Sequence, residues 1–214
     1  MPDPVLRWRL IASVTGLSAV AAYALLVAVL PSNKVGAVVA SMFGPLVACA
    51  SVGLYRVLAW RAATIAGFLA AVANVAAGAL VVAMLLVQIA LDDAEEQAPG
   101  LDPSTERVFD HVHFGLDLAW DTFICLGTAL FGLAMLRRPG FGLVVGGAGM
   151  VIGIAVYVVN FATFPDPPSE NAVDLGPLIG LWYAVVSVLL LRRSVLAPDT
   201  GERAAVGGYR TEGD

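Results

Sequence analysis

Six long stretches of apolar residues, separated by short polar segments, dominate the sequence. They lie near residues 10–30, 35–55, 62–88, 113–136, 140–163 and 175–191. A helix rises 1.5 Å per residue, so about 20 apolar residues cross the roughly 30 Å hydrocarbon core of a bilayer. The pattern predicts an all-α protein in which residues 1–193 form a single polytopic transmembrane bundle of six spans. Residues 194–214 are polar and rich in glycine, which predicts a disordered tail.

The first apolar stretch follows Arg7 and Arg9, as the hydrophobic part of a secretory signal would. That part of a signal is about 7 to 15 residues long. This stretch runs for roughly 20 residues, the length of a span, and further stretches of similar length follow it. We therefore expect it to be retained as the first span.

The composition agrees with a membrane location. Hydrophobic residues make up 59% of the chain and charged residues 14%, whereas a soluble domain is about half apolar and about a quarter charged. In water, the excess would appear as large exposed apolar patches. The lipid bilayer is therefore the predicted partner. The net charge of −5 does not provide the basic surface that a nucleic-acid-binding protein needs, so that class is excluded.

The distribution of charge predicts the orientation, because lysine and arginine accumulate in short cytoplasmic loops. If the N-terminus is inside, ten of the twelve basic residues fall on the cytoplasmic side, and only Lys34 and Arg107 fall outside. The outer loops instead carry acidic residues, chiefly between Asp92 and Asp110. We therefore predict a multi-pass protein of the cell's inner (plasma) membrane, with both termini and the tail in the cytoplasm.

The fourth span contains an acidic residue inside the membrane. Asp102-Pro103 predicts an N-cap followed by proline at the first helical position, so the helix starts well outside the bilayer. If Arg137 marks the inner edge, Asp117 lies at the outer boundary and Asp121 about 6 Å below it. A carboxylate at that depth costs free energy unless it faces protein or water.

Small and polar residues recur at helical spacing on one face of three spans, where they favour close helix packing. In the fourth span this face carries Asp117, Asp121, Cys125, Thr128 and Gly132. In the third and fifth spans it carries Gly67, Ala71, Asn74 and Gly78, and Gly146, Gly149, Gly153 and Asn160. We expect these three helices to form a tight centre, with a polar pocket open to the outside. The predicted pocket residues are Asp121, Asp117, Asn74, Asn160, Trp182 and Tyr183.

Three functions are consistent with this pattern. In the first, the pocket binds a small ligand, a proton or a cation, with Asp121 as the charged or titrating group of a sensor, an accessory subunit or a minor transporter. In the second, Asp121 is protonated or bonded to Asn74 and only holds helices together. The protein would then be a structural or assembly protein, with a second copy or another membrane protein as its partner. The third is a membrane-embedded enzyme, but the sequence has no familiar catalytic motif, so no catalytic residue is predicted.

The region also contains a spacing that could suit a metal ion. Asp110, His113 and Asp117 sit at positions i, i+3 and i+7, which could present three ligands from one helix face. However, His111 and His113 are the only histidines of the chain, so no second span can supply an imidazole ligand. For the same reason no haem ligation is expected. We predict neither a metal nor a cofactor.

The second half of the chain resembles a known group of proteins. The resemblance runs from Phe114-Gly-Leu-Asp-Leu-Ala-Trp-Asp121 through Phe164-Pro-Asp-Pro-Pro168 to the segment from Asp174 to Tyr183. These segments are similar to small bacterial inner-membrane proteins that are grouped as domains of unknown function. The resemblance implies a six-helix bacterial membrane protein and carries over no site residues.

Overall fold

The structure, a computed structural model, describes residues 4–29, 34–60, 62–97, 102–138, 140–162 and 175–192. The predicted tail at 194–214 lies outside these described residues. The described part of the chain is all-α, as predicted, and its helices are α1 (Pro4–Val29), α2 (Lys34–Ala59), α3 (Ile65–Gln97), α4 (Pro103–Met135), α5 (Gly142–Phe161) and α6 (Gly176–Leu191). The first five are long and apolar enough to cross a membrane, whereas α6 has 16 residues and is shorter.

The longest helices, α3 and α4, have 33 residues each and are about 50 Å long. Helix α3 continues nine residues past its predicted span to Gln97, because Asp92 and Asp93 are compatible with a helix that has left the apolar layer. Helix α4 begins at Pro103, as predicted. Asp102 does not cap the helix with its side chain and instead accepts a hydrogen bond from Ser104. Both helices are longer than a bilayer core is thick. We call the end of the bundle where α3 ends and α4 begins the acidic end, because it carries Asp92, Asp93 and Asp102.

The six helices form a ring in which each packs against the next along the chain and α6 returns to α1. Along the last interface, Gly16 faces Ser187 and Tyr23 faces Gly180, so α1 and α6 are antiparallel. The sequence predicted close packing among α3, α4 and α5. In the structure, close packing also includes α2. Helix α2 approaches α3 just as closely, because Gly44 meets the backbone of Gly78.

Arginines connect the helices at the opposite end of the bundle, which we call the arginine end. Arg9 of α1 donates hydrogen bonds from Nε and Nη2 to the carbonyl of Leu190, at 2.9 and 2.7 Å, and from Nη2 to the carbonyl of Arg192. Arg56 lies 5.3 Å from the ring centre of Trp8. Arg138 donates to the carbonyl of Ala62, in the α2–α3 turn. Basic side chains therefore connect α1 to α2 and to α6. They also connect the α2–α3 turn to the α4–α5 turn, which contains Arg138.

Between its two ends, the outer surface of the bundle is mainly apolar. Ile65 and Val144 are more than 80% exposed, and every helix also exposes valine or leucine side chains. Several polar side chains are buried instead: Arg9, Ser13, Ser51, Asn74, Asp121, Thr128 and Ser187. An apolar exterior around buried polar groups suits a lipid environment, since lipid tails do not penalise exposed valine and leucine.

Candidate functional site

Asn74 is the centre of a buried polar group in the middle of the bundle. Its side chain is fully buried in α3. The amide Nδ2 donates to Ser51 Oγ of α2 at 2.9 Å and to the Tyr183 hydroxyl of α6 at 2.5 Å. The Tyr183 hydroxyl also hydrogen-bonds to Thr128 of α4. Four helices therefore meet at one network of side-chain hydrogen bonds.

Gly127 makes room for the amide of Asn74. A Cβ atom at position 127 would lie 1.8 Å from Asn74 Oδ1, so only glycine lets the amide sit between α3 and α4. Within the described part of the chain, Oδ1 has no hydrogen-bond partner. An unpaired buried acceptor costs about 1 to 3 kcal/mol. The two bonds that Nδ2 makes offset part of this cost.

Asp121 is buried in α4 and accepts a hydrogen bond from Asn160 Nδ2 of α5. A bond between Asp121 and Asn74 was one alternative within the second hypothesis, but Asn74 donates to Ser51 and Tyr183, and Asp121 accepts from Asn160. The amide of Asn74 turns toward α2 and α6, and the stripe of α5 glycines brings Asn160 to Asp121 instead. Gly153 of α5 contacts the α4 backbone at Cys125. The Asp121–Asn160 bond thus joins two helices that already pack closely.

Cys125 lies between these two polar groups. It is one helical turn from Asp121 on α4 and is almost fully buried. Helix α4 therefore contributes to both polar groups, through Asp121 and through Thr128.

The six residues predicted to form one pocket fall into separate places. Asn74 and Tyr183 are bonded to each other, and Asp121 is bonded to Asn160. Trp182 is buried and donates from Nε1 to the carbonyl of Val145 at 2.9 Å. The ring of Trp182 also packs edge-on against Tyr183, with ring centres 4.9 Å apart. Asp117 is half-buried, one turn from Asp121 toward the acidic end.

The residues considered for a metal ion do not assemble into a site. Asp110 is exposed, whereas His113 and Asp117 are half-buried on the same helix. Among the described residues, no three carboxylate, imidazole or thiol groups come together in a way that could hold a metal ion.

A cavity of about 50 Å³ lies beside the Asn74 network, between α1, α2, α4 and α6. One water molecule needs about 10 to 15 Å³, so the cavity has room for several groups of that size. Ser51 and Tyr183, both bonded to Asn74, lie on its wall. Four aromatic rings line it, those of Tyr23, Phe43, Trp120 and Tyr183, and glycines and alanines supply much of the remaining surface.

Ser51 and Trp120 are cavity residues that the sequence analysis did not identify. Ser51 lies seven residues after Gly44, on the same face of α2. The small-residue rule that was applied to three other spans would have found it. Trp120 has no such signal, because a tryptophan near the membrane boundary is typical of the interfacial aromatic belt.

Comparisons with protein-family models, with curated proteins and with solved structures found no match to this chain. The resemblance of the second half to small bacterial inner-membrane proteins therefore stays a prediction.

Proposed function

We propose that this chain is an integral membrane protein with six spans and both termini in the cytoplasm. The antiparallel order of neighbouring helices supports an even number of crossings, since α6 runs beside α1 from Tyr23 to Arg9. With 16 residues, α6 is about 24 Å long. Local thinning of the bilayer and the long side chain of Arg192 would accommodate this mismatch. The arginine end then faces the cytoplasm, as the positive-inside rule requires.

Reporter fusions test this topology. A phosphatase that is active only outside the cytoplasm should be active when it is inserted at Pro99, between α3 and α4, and inactive when it is fused after Arg193. A fluorescent protein that folds only in the cytoplasm should give the opposite pattern. Phosphatase activity at both positions would mean that the number of spans is odd, and activity after Arg193 alone would mean that the orientation is inverted. Either result would overturn the proposal.

We further propose that the protein binds a small molecule in the cavity between α1, α2, α4 and α6, and acts as a sensor, an accessory subunit or a minor transporter. The observation that carries this proposal is the shared wall: Ser51 and Tyr183 face the cavity and also hold Asn74. A ligand that touches either hydroxyl would change the hydrogen bonds between α2, α3 and α6. The site would then lie toward the outside, because Gly176, at the outer end of α6, also lines the cavity.

Filling the cavity tests this function, and Gly180 offers a position for doing so. It lines the cavity, and a Cβ there would meet only Tyr23, at 3.8 Å, which is ordinary van der Waals contact. Gly180→Leu should therefore fold and occupy the cavity. Gly147→Leu is the matched control, because a Cβ at position 147 meets nothing within 4 Å. Both variants gain the helix propensity that glycine lacks.

The measurement is native mass spectrometry of the full chain, released from membranes of its own cells in a mild detergent. The wild type and Gly147→Leu should carry the same bound small molecule, and Gly180→Leu should lack it. A wild type with no bound molecule, or equal occupancy in Gly180→Leu, would contradict ligand binding in this cavity and would favour an assembly protein.

The close-packed glycines do not by themselves favour the assembly function. Gly44 packs on Gly78, and Gly132 packs on Gly146. These faces are therefore used between helices of one chain and do not offer a surface to a second copy. The assembly function would need a different contact surface.

A further inference from the structure

Arg56 is restrained at the arginine end of the bundle in a way that leaves its hydrogen-bond donors unused. Its side chain is exposed, and the guanidinium carbon lies 5.3 Å from the ring centre of Trp8. The contact with the ring uses none of the five N–H groups as donors to an oxygen atom. Among the described residues, none accepts a hydrogen bond from this guanidinium. Arg56 therefore offers its donors to an acceptor outside the chain.

The position of Arg56 places it beside the lipid headgroups. Trp8 lies within about one turn of the start of α1, and Arg56 within one turn of the end of α2. Both helices have 26 residues, or about 39 Å, and exceed the hydrocarbon core of roughly 30 Å. Their turns at the arginine end therefore reach the headgroup layer, where the phosphates of the lipids are the abundant acceptors.

The charges at this end favour an anionic headgroup. The described arginines there are Arg7, Arg9, Arg56, Arg137, Arg138 and Arg192. The described residues of α1, α2, α5 and α6 include no acidic residue, and the acidic residue of α4 closest to Arg137 is Asp121, about 24 Å away along the helix. The cationic group of a zwitterionic lipid would find no described counter-ion here, whereas basic clusters at the membrane surface attract anionic lipids.

An apolar surface continues from Arg56 into the membrane. Val52, Cys49 and Pro45 lie four, seven and eleven residues before Arg56 on the same face of α2, and all three are exposed. The distance from Arg56 to Pro45 is about 17 Å along the helix, close to the apolar thickness of one leaflet, which is half of roughly 30 Å. A lipid therefore matches both parts of this surface, whereas a soluble phosphate would use only the guanidinium.

We propose that Arg56 and Trp8 bind the headgroup of an anionic phospholipid whose acyl chain lies along the exposed face of α2. The phosphate accepts charge-assisted hydrogen bonds from the guanidinium, and the ring of Trp8 restrains the guanidinium. The positive-inside rule explains why arginines collect at this end, but it does not require one of them to lie over an aromatic ring. The inference goes beyond the proposed function and depends neither on the cavity nor on the orientation of the bundle.

Native mass spectrometry of the full chain in detergent measures this binding. Phosphatidylglycerol and phosphatidylcholine with the same acyl chains are titrated separately at an ionic strength of about 0.15 M, where the screening length is about 8 Å and distant charges contribute little. Arg56→Gln removes the proposed phosphate ligand. Arg137→Gln is the matched control, because Arg137 is also exposed and follows α4, across the ring from α1. The midpoint of thermal unfolding without added lipid checks that each variant is folded.

Phosphatidylglycerol should bind the wild type more tightly than phosphatidylcholine does. Arg56→Gln should lower the affinity for phosphatidylglycerol about tenfold, since a hydrogen bond to a charged group is worth at least about 1.5 kcal/mol. Trp8→Leu keeps the arginine but removes the ring, and should lower this affinity about two- to fivefold, the value of an exposed cation–π contact. Arg137→Gln should bind phosphatidylglycerol as the wild type does.

Three results would overturn the inference, and none of them bears on the cavity. Equal affinity of the wild type for the two lipids would exclude recognition of an anionic headgroup. Equal losses in Arg56→Gln and Arg137→Gln would show that the arginine end attracts lipid only through its summed charge. Glycerophosphoglycerol, the same headgroup without acyl chains, should not displace phosphatidylglycerol at millimolar concentration. Displacement would show that the site binds a soluble phosphate and that the face of α2 is not used.

Discussion

Replacing Gly44 with alanine should lower the free energy of unfolding by more than about 3 kcal/mol, the upper end of ordinary overpacking in a core. The new Cβ would lie 2.0 Å from the carbonyl oxygen of Gly78 and 2.5 Å from a methyl of Val82. A backbone carbonyl inside a helix cannot rotate away, so α2 must move away from α3. Ser51 is two turns along the same face of α2, and the movement should also weaken its bond to Asn74.

The control for this substitution is Gly147→Ala, in a region of α5 where a Cβ meets nothing within 4 Å. Alanine is the better helix former, by up to about 1 kcal/mol, so the control should be neutral or slightly stabilising. Reversible unfolding in mixed micelles with increasing dodecyl sulfate measures both. Gly78→Ala should resemble Gly44→Ala, because its Cβ would lie 2.6 Å from the Gly44 carbonyl oxygen. If Gly44→Ala were as stable as Gly147→Ala, the close contact of α2 and α3 would be wrong.

Replacing Arg9 with alanine should be the second most damaging change, with an expected loss of about 3 kcal/mol. The guanidinium is buried and makes three hydrogen bonds to carbonyl oxygens at the C-terminal end of α6. Hydrogen bonds to a charged group are worth about 1.5 to 3 kcal/mol each and are not additive. The positive charge also stabilises the negative end of the helix dipole. Without Arg9, the buried carbonyl of Leu190 would lose the hydrogen bonds that it accepts from Nε and Nη2.

Arg7→Ala removes the same charge from an exposed position of α1, so it controls for any effect of charge on membrane insertion. Arg9→Lys keeps the charge but cannot reproduce the forked geometry, and should fall between the wild type and Arg9→Ala. The unfolding assay described for Gly44 measures all three variants. Equal stability of Arg7→Ala and Arg9→Ala would show that the α1–α6 contact does not depend on these bonds.

The helices were largely predictable, because apolar length and helix-start chemistry are local properties of the chain. The number of helices and the start of α4 after Asp102 agree with the structure. The end of α3 was missed by nine residues, since hydrophobicity marks where a span leaves the apolar layer and not where the helix stops. Which helix faces which is not a local property. The glycines of α2 therefore did not predict that α2 packs against α3 as closely as α3, α4 and α5 pack against one another.

The site was only partly predictable for the same reason. Helical periodicity places Asn74 and Asp121 on packing faces, and both are indeed buried. It cannot say which partner each amide or carboxylate meets across an interface. Asn74 pairs with Ser51 and Tyr183, on helices distant in sequence, and Asp121 pairs with Asn160. The cavity arises where four helices meet around Trp120, and no single helix contains that information.

The bonds of Arg9 also have a consequence for biosynthesis. Their partners are 181 and 183 residues further along the chain, so α1 emerges from the ribosome long before the carbonyls that it needs exist. Until α6 is made, the ring lacks its last member and the guanidinium lacks its acceptors. Contacts of such long sequence separation form late in folding. A chain that stops early would keep an open seam beside α1, through which membrane quality control could distinguish an unfinished protein from a complete one.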